Sequence, residues 1–69
     1  MPHIDITMIP GRDDKAKTEL ALKVRRFIAD DLNINDKFVS VSIEDVPKED
    51  WAKHMESLSG KVMFVKPGI

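Results

Sequence analysis

The chain reads as a single α/β domain: one βαβ unit, then a short second helix and a C-terminal strand, completed by self-association. Three patterns predict this. Ile4, Ile6 and Met8 alternate with His3, Asp5 and Thr7, the period of a strand buried on one face. Ala16, Leu20, Val24, Phe27 and Ile28 then recur at spacings of three and four, the apolar stripe of a helix. Finally, Val39, Val41 and Ile43 alternate with Ser40, Ser42 and Glu44, a second strand within 38–44.

Each element has its own boundary signals. The first strand follows Pro2 and stops at a Pro10-Gly11 turn, which leaves Arg12 as a cation beside it. Asp13 or Asp14 caps the helix and favours its positive N-terminal end. Lys15, Lys17, Glu19, Lys23 and Arg26 supply the solvated side, with Glu19 and Lys23 in the favourable i,i+4 order. Asp30 and Asp31 oppose the negative end of the helix dipole, so the last turn, near Leu32, is expected to fray or to find a cation. Asn33 to Asp36 is a turn by composition. Residues 47–58 form the second helix, with Pro47 in its first turn and Trp51, Met55 and Leu58 along one side. Ser59-Gly60 ends it, and residues 61–65 read as a terminal strand able to pair with a neighbouring subunit.

A strand, a long helix and a second strand imply parallel pairing with a right-handed crossover. One helix covers one face of such a sheet, whereas parallel sheets are covered on both. Two strands are also too few to stand alone. A second copy is therefore expected to pack on the sheet or extend it.

Composition narrows the remaining classes. The whole of 1–69 makes one domain, and a chain this short buries only about 60% of its unfolded surface. There are no cysteines, so disulfides and thiolate metal sites are out, and two histidines are too few for a metal cluster. With 42% hydrophobic and 33% charged residues the chain is globular. A net charge of −1 and no aromatic-basic face argue against nucleic acid. No apolar run approaches the roughly 20 residues of a membrane span, and no signal peptide layout opens the chain. A cytoplasmic protein is the expectation.

The first twelve residues carry the chemistry. If Met1 is removed, the chain begins with the secondary amine of Pro2 on a rigid strand. An α-amino group titrates near 7.7–8, and apolar surroundings lower that value, which suits a general base at neutral pH. Arg12 offers a planar fork that matches a carboxylate at two points. Without further context a Met-Pro start is silent, and an arginine after a turn is a surface ion.

Pro2, the short strand, the Gly11-Arg12 pair and the long amphipathic helix resemble the start of the 4-oxalocrotonate tautomerase family. The likeness extends through the second strand to Trp51. The ending Lys66-Pro67-Gly68, with Trp51 upstream, looks closest to the branch of small phenylpyruvate-type keto–enol tautomerases. The resemblance implies a cofactor-independent isomerase, assembled as a homodimer or a trimer of dimers with sites at subunit boundaries. It implies Pro2 as general base, Arg12 as the carboxylate ligand and Trp51 as an aromatic wall; a core anchor is the plain alternative for Trp51. It also exposes a departure, because the family's second arginine, in the middle of the second strand, is here Ser40. Ser40 retains only a hydrogen bond for a carbonyl or enol oxygen. The loss of charge disfavours a dicarboxylate or a dehalogenation and favours a monocarboxylate with an aromatic tail, such as phenylenolpyruvate. Arg25, presented by another subunit, would restore the charge; otherwise Arg25-Arg26 is a solvated helix face. His3 is expected at an interface and His54 outside the site. The competing reading is a catalytically silent oligomer that binds small carboxylates.

Overall fold

The computed structural model describes residues 1–68, and its elements run β1 (His3–Met8), α1 (Asp14–Leu32), β2 (Ser40–Asp45) and α2 (Trp51–Glu56). The two strands are parallel, in the register His3↔Ser40 through Met8↔Asp45. This is the expected βαβ unit with a short second helix.

Register assigns the faces, because alternate residues of a strand point to opposite sides. Ile4 and Ile6 stand opposite Val41 and Ile43 on one face, and α1 packs against β2 there. The other face carries His3, Asp5 and Thr7 opposite Ser40, Ser42 and Glu44. That second face is polar and internally hydrogen-bonded, so it does not present the bare apolar surface that would demand sheet-on-sheet packing.

Helix α1 is capped at both ends. The Asp13 carboxylate accepts the Ala16 N–H at 2.9 Å, so Asp13 is the cap and Asp14 lies in the first turn. At the far end Asn33 adopts the left-handed region (φ 56°, ψ 50°), and the Ile34 N–H returns to the Ala29 carbonyl at 3.0 Å. This closure satisfies carbonyls that would otherwise be orphaned. The last turn therefore closes without a cation, despite Asp30 and Asp31.

The buried stripe of α1 is rotated from the expected one. Its shielded positions are Lys17, Leu20, Ala21, Val24, Arg25, Ile28 and Ala29, whereas Ala16 is exposed and Phe27 is 67% exposed. Arg25 is thus half-buried rather than solvated, in a groove with Ala21, Leu22, Val39, Ser40 and Val41. A guanidinium on a long apolar stem covers such a groove well.

Two boundaries also moved. Residues 36–38 form a 3₁₀ turn, with Asn35 accepting the Lys37 N–H at 2.9 Å, so β2 begins at Ser40 instead of Phe38. The second helix splits into a 3₁₀ turn at Lys48–Asp50 and the six residues of α2. Residues 61–65, expected as a strand, form turns and bends, with Phe64 91% and Val65 85% exposed. A strand needs a neighbouring strand for its backbone groups, and among the described residues the sheet holds only β1 and β2, while the Lys61 and Val62 N–H groups turn back to Ser59.

The chain by itself is under-packed. Ala29 and Val39 are the core residues below one-tenth exposure among those described. The radius of gyration is 13.5 Å, against roughly 11 Å for a compact chain of this length. No helix among the described residues is long and apolar enough to cross a membrane.

Candidate active site

Parallel pairing sorts the candidate residues into two groups at opposite ends of the sheet. Pro2 precedes β1, and its carbonyl accepts the Ser40 N–H at 3.3 Å, so Pro2 and Ser40 share the N-terminal end. Arg12 follows β1 and Trp51 follows β2, so both belong to the C-terminal end. A six-residue strand spans ~20 Å. Lys17, early in α1, confirms where the helix starts: its ammonium pairs with the Asp45 carboxylate, the last residue of β2, at 2.8 Å. From there α1 runs back along the sheet, its 19 residues covering about 28 Å. Arg12 and Trp51 of one chain therefore cannot touch a ligand held at that chain's own Pro2.

The Pro2 end is apolar. Met1, Pro2, Leu32, Ile34 and Phe38 line a hollow of about 340 Å³. Leu32 ends α1, Ile34 follows its left-handed cap, and Phe38 closes the 3₁₀ turn before β2. These three walls were missed in the sequence, although a signal existed. In a βαβ unit the end of the helix and the start of the second strand must lie beside the start of the first. Apolar residues flanking the helix-to-strand turn are thus drawn toward Pro2. With Met1 in place the Pro2 nitrogen is an amide; the amine requires its removal.

The opposite end holds a larger, more polar hollow of about 410 Å³ between Asp45, Pro47, Asp50, Lys53 and His54. Gly11 sits in the turn that leads to Arg12, at φ 142°, a backbone conformation that a Cβ disfavours. Trp51 is half-buried there, and His54 shares the hollow rather than the Pro2 site.

Ser40 is not a free hydroxyl. Its Oγ lies 2.6 Å from Nδ1 of His3, the residue opposite it in register. The other ring nitrogen, Nε2, lies 2.9 Å from the Ser42 Oγ, and the Ser42 hydroxyl donates in turn to Asp5. Asp5 and Glu44 complete the row. Hydrogen bonds from Glu44 and then Ser42 hold the Asp5 carboxyl below its ordinary value. The hydrogen bond to Asp5, followed by the Asp5 charge, pushes Glu44 above its own. Asp5 therefore loses its proton before Glu44. His3 therefore stands within an organised row of side chains, on the face that α1 leaves open.

This βαβ arrangement with a short second helix is consistent with a tautomerase-like architecture. A family model described as "Tautomerase enzyme" matches residues 2–60, and the chain belongs to that enzyme family. A probable tautomerase of Xylella fastidiosa (strain 9a5c) is 33% identical over 72 residues, covering 99% of this chain and 88% of the relative. The tautomerase PptA of Enterobacter sp. (strain 638) is 43% identical over 52 residues, covering 74% of this chain and 68% of that protein. PptA of Escherichia coli O127:H6 is 36% identical over the same length, covering 74% and 69%. These similarities support tautomerase-type isomerase activity as the general assignment.

Proposed function

We propose that the protein is a cofactor-independent keto–enol tautomerase acting on enol or α-keto monocarboxylates with an aromatic tail, such as phenylenolpyruvate. The observation that carries this reading is the apolar hollow around Pro2. Once Met1 is removed, an amine in such surroundings is held neutral by the cost of desolvating its charged form. The Pro2 nitrogen takes the proton of the enol oxygen and returns a proton to the carbon beside the forming carbonyl. A base working near its own pKa gains typically 10²- to 10⁴-fold from such transfer. Leu32, Ile34 and Phe38, exposed in the single chain, offer the tail an apolar wall.

The carboxylate is bound by Arg12 from a second copy. Two-fold symmetry that sets the sheets antiparallel brings the Arg12 and Trp51 end of one protomer to the Pro2 end of the other. The under-packed chain and the exposed Phe64 and Val65 favour such a dimer, or a larger assembly built from it. In the absence of a second arginine at Ser40, the Ser40 hydroxyl serves the substrate oxygen as a donor when His3 is an imidazolium and its Nδ1–H bonds to Ser40. A neutral imidazole withdraws that donor by accepting the Ser40 proton itself.

The test is ketonisation of phenylenolpyruvate by protein whose intact mass shows Met1 removed. The expected result is a rate far above background that rises through a pKa below that of an ordinary terminal amine. A Pro2→Ala variant with an undiminished rate would refute the reading. A flat profile at the background rate would favour a catalytically silent binder of small carboxylates.

A further inference from the structure

The hydrogen-bonded row on the open face has a direction, and it ends on a hydroxyl. Asp5, held ionised by its hydrogen bonds, is an acceptor only. The single Ser42 proton goes to Asp5, so the Ser42 Oγ accepts from His3 and the ring proton belongs on Nε2. A neutral imidazole protonated there presents a lone pair at Nδ1. Ser40, at 2.6 Å, donates its proton to that lone pair. The result is a hydroxyl on a base, with the base oriented through Ser42 by a carboxylate, which is the arrangement that activates a nucleophile. His3 and Ser40 are both exposed, so a reagent reaches them.

We propose that Ser40 is an acyl-accepting nucleophile, with His3 as its general base and Ser42 and Asp5 holding the imidazole in place. Its substrates are activated carboxylic esters. The Ser40 Oγ bonds to the acyl carbon while its proton passes to Nδ1 of His3. The bond from that carbon to the leaving oxygen breaks, and the alcohol or phenolate departs, leaving an ester on Ser40. One backbone donor lies next to the attack. The Ser40 N–H points to Pro2, so alternation turns the Val41 N–H outward along the free edge of β2. A single donor is a poor oxyanion site, and each missing donor costs about 10²- to 10³-fold. That penalty falls on acylation and deacylation alike, but a phenolate leaves far more readily than the Ser40 alkoxide, so with an aryl ester the acyl group accumulates on Ser40 in a single turnover. This activity uses the neutral imidazole, to which Ser40 donates, whereas the tautomerase reading uses Ser40 as a donor to substrate when His3 is charged; ketonisation, measured separately, tests that reading on its own.

The experiment treats the full chain with p-nitrophenyl acetate, follows nitrophenolate release, and maps acetyl groups by tandem mass spectrometry of the tryptic peptides 38–48 and 54–61. The expected result is acetylation at Ser40 well ahead of Ser57 and Ser59, which have no imidazole partner in the structure. His3→Gln, which keeps a polar side chain but supplies no base, should lower the Ser40 rate about 10²-fold or more. Acetyl groups confined to amines or to His3 would overturn the proposal. So would Ser40 labelling no faster than Ser57 and Ser59, or a His3→Gln variant labelled at the parent rate. If that variant is unfolded by circular dichroism, the comparison among serines within the parent protein decides alone.

Discussion

Pro2 and Arg12 stand at the two ends of β1, a strand of six residues, with ~20 Å of sheet between them. The Lys17–Asp45 ion pair secures the Arg12 end by tying the start of α1 to the end of β2. A ligand that touches both residues must therefore lie between two chains.

Mixing inactive subunits tests that geometry. Pro2→Ala and Arg12→Ala homo-oligomers should each be nearly inactive. Equal mixtures, unfolded and refolded together, should regain about one quarter of the parent activity if the unit is a two-fold dimer, since half the dimers are mixed and each carries one intact site. Ketonisation rate against mixing ratio is the measurement. No recovery would place both residues in one chain's site, against the fold.

Phe38 lines the Pro2 hollow and is half-exposed in the single chain, so it is available to an aromatic tail. Phe38→Ala should raise KM for phenylenolpyruvate about tenfold, equivalent to ~1.4 kcal/mol of binding. A small enol carboxylate without a ring should be affected far less. An equal effect on both substrates would mean that Phe38 supports the fold, not the tail.

The Asp5–Glu44 pair predicts a pH optimum of stability. Glu44 has a raised value in the folded state, so its contribution is complete below its unfolded value and is lost as pH rises through the raised one. Asp5 has a lowered value, so its contribution is present above its unfolded value and is lost as pH falls through the lowered one. Stability from the pair is therefore greatest in mildly acidic solution, where Asp5 has lost its proton and Glu44 keeps its own. Glu44→Gln keeps a donor toward Asp5 without titrating, and should remove the decline on the alkaline side of that window in a series of melting temperatures against pH. The effect is small because both side chains meet water.

The cap on α1 can be weighed directly. Asp13→Ala removes the acceptor of the Ala16 N–H and should cost about 0.5–2 kcal/mol. A domain of this size loses roughly 4–8 °C of melting temperature per kcal/mol. Asp14→Ala, outside the cap, should cost less. Thermal unfolding at one protein concentration compares them, since assembly makes the midpoint depend on concentration.

Much of the molecule was legible from local pattern. The alternation around Ile4 and Ile6, the helix between Asp13 and Leu32, and the alternation from Val39 to Ile43 follow from side-chain periodicity and capping chemistry, which act over a few residues. Pro2 and Arg12 stood out for similar reasons, one by the chemistry of a terminal secondary amine and the other by its place after a Pro-Gly turn. The expectation of a second copy rested on a bare sheet face, and the structure gives that face a polar, hydrogen-bonded row instead. Other features depended on what the chain folds against. The stripe of α1 rotated toward Ala21, Arg25 and Ala29 because the packing of the helix on β2, not its own periodicity, selects the buried face. Leu32, Ile34 and Phe38 became the walls around Pro2 because the crossover returns the helix to the start of β1. His3, Ser40, Ser42, Asp5 and Glu44 formed one row only through the register of two strands 37 positions apart. Period and composition are local properties, whereas register and crossover are long-range contacts, and it is those contacts that decide which side chains meet.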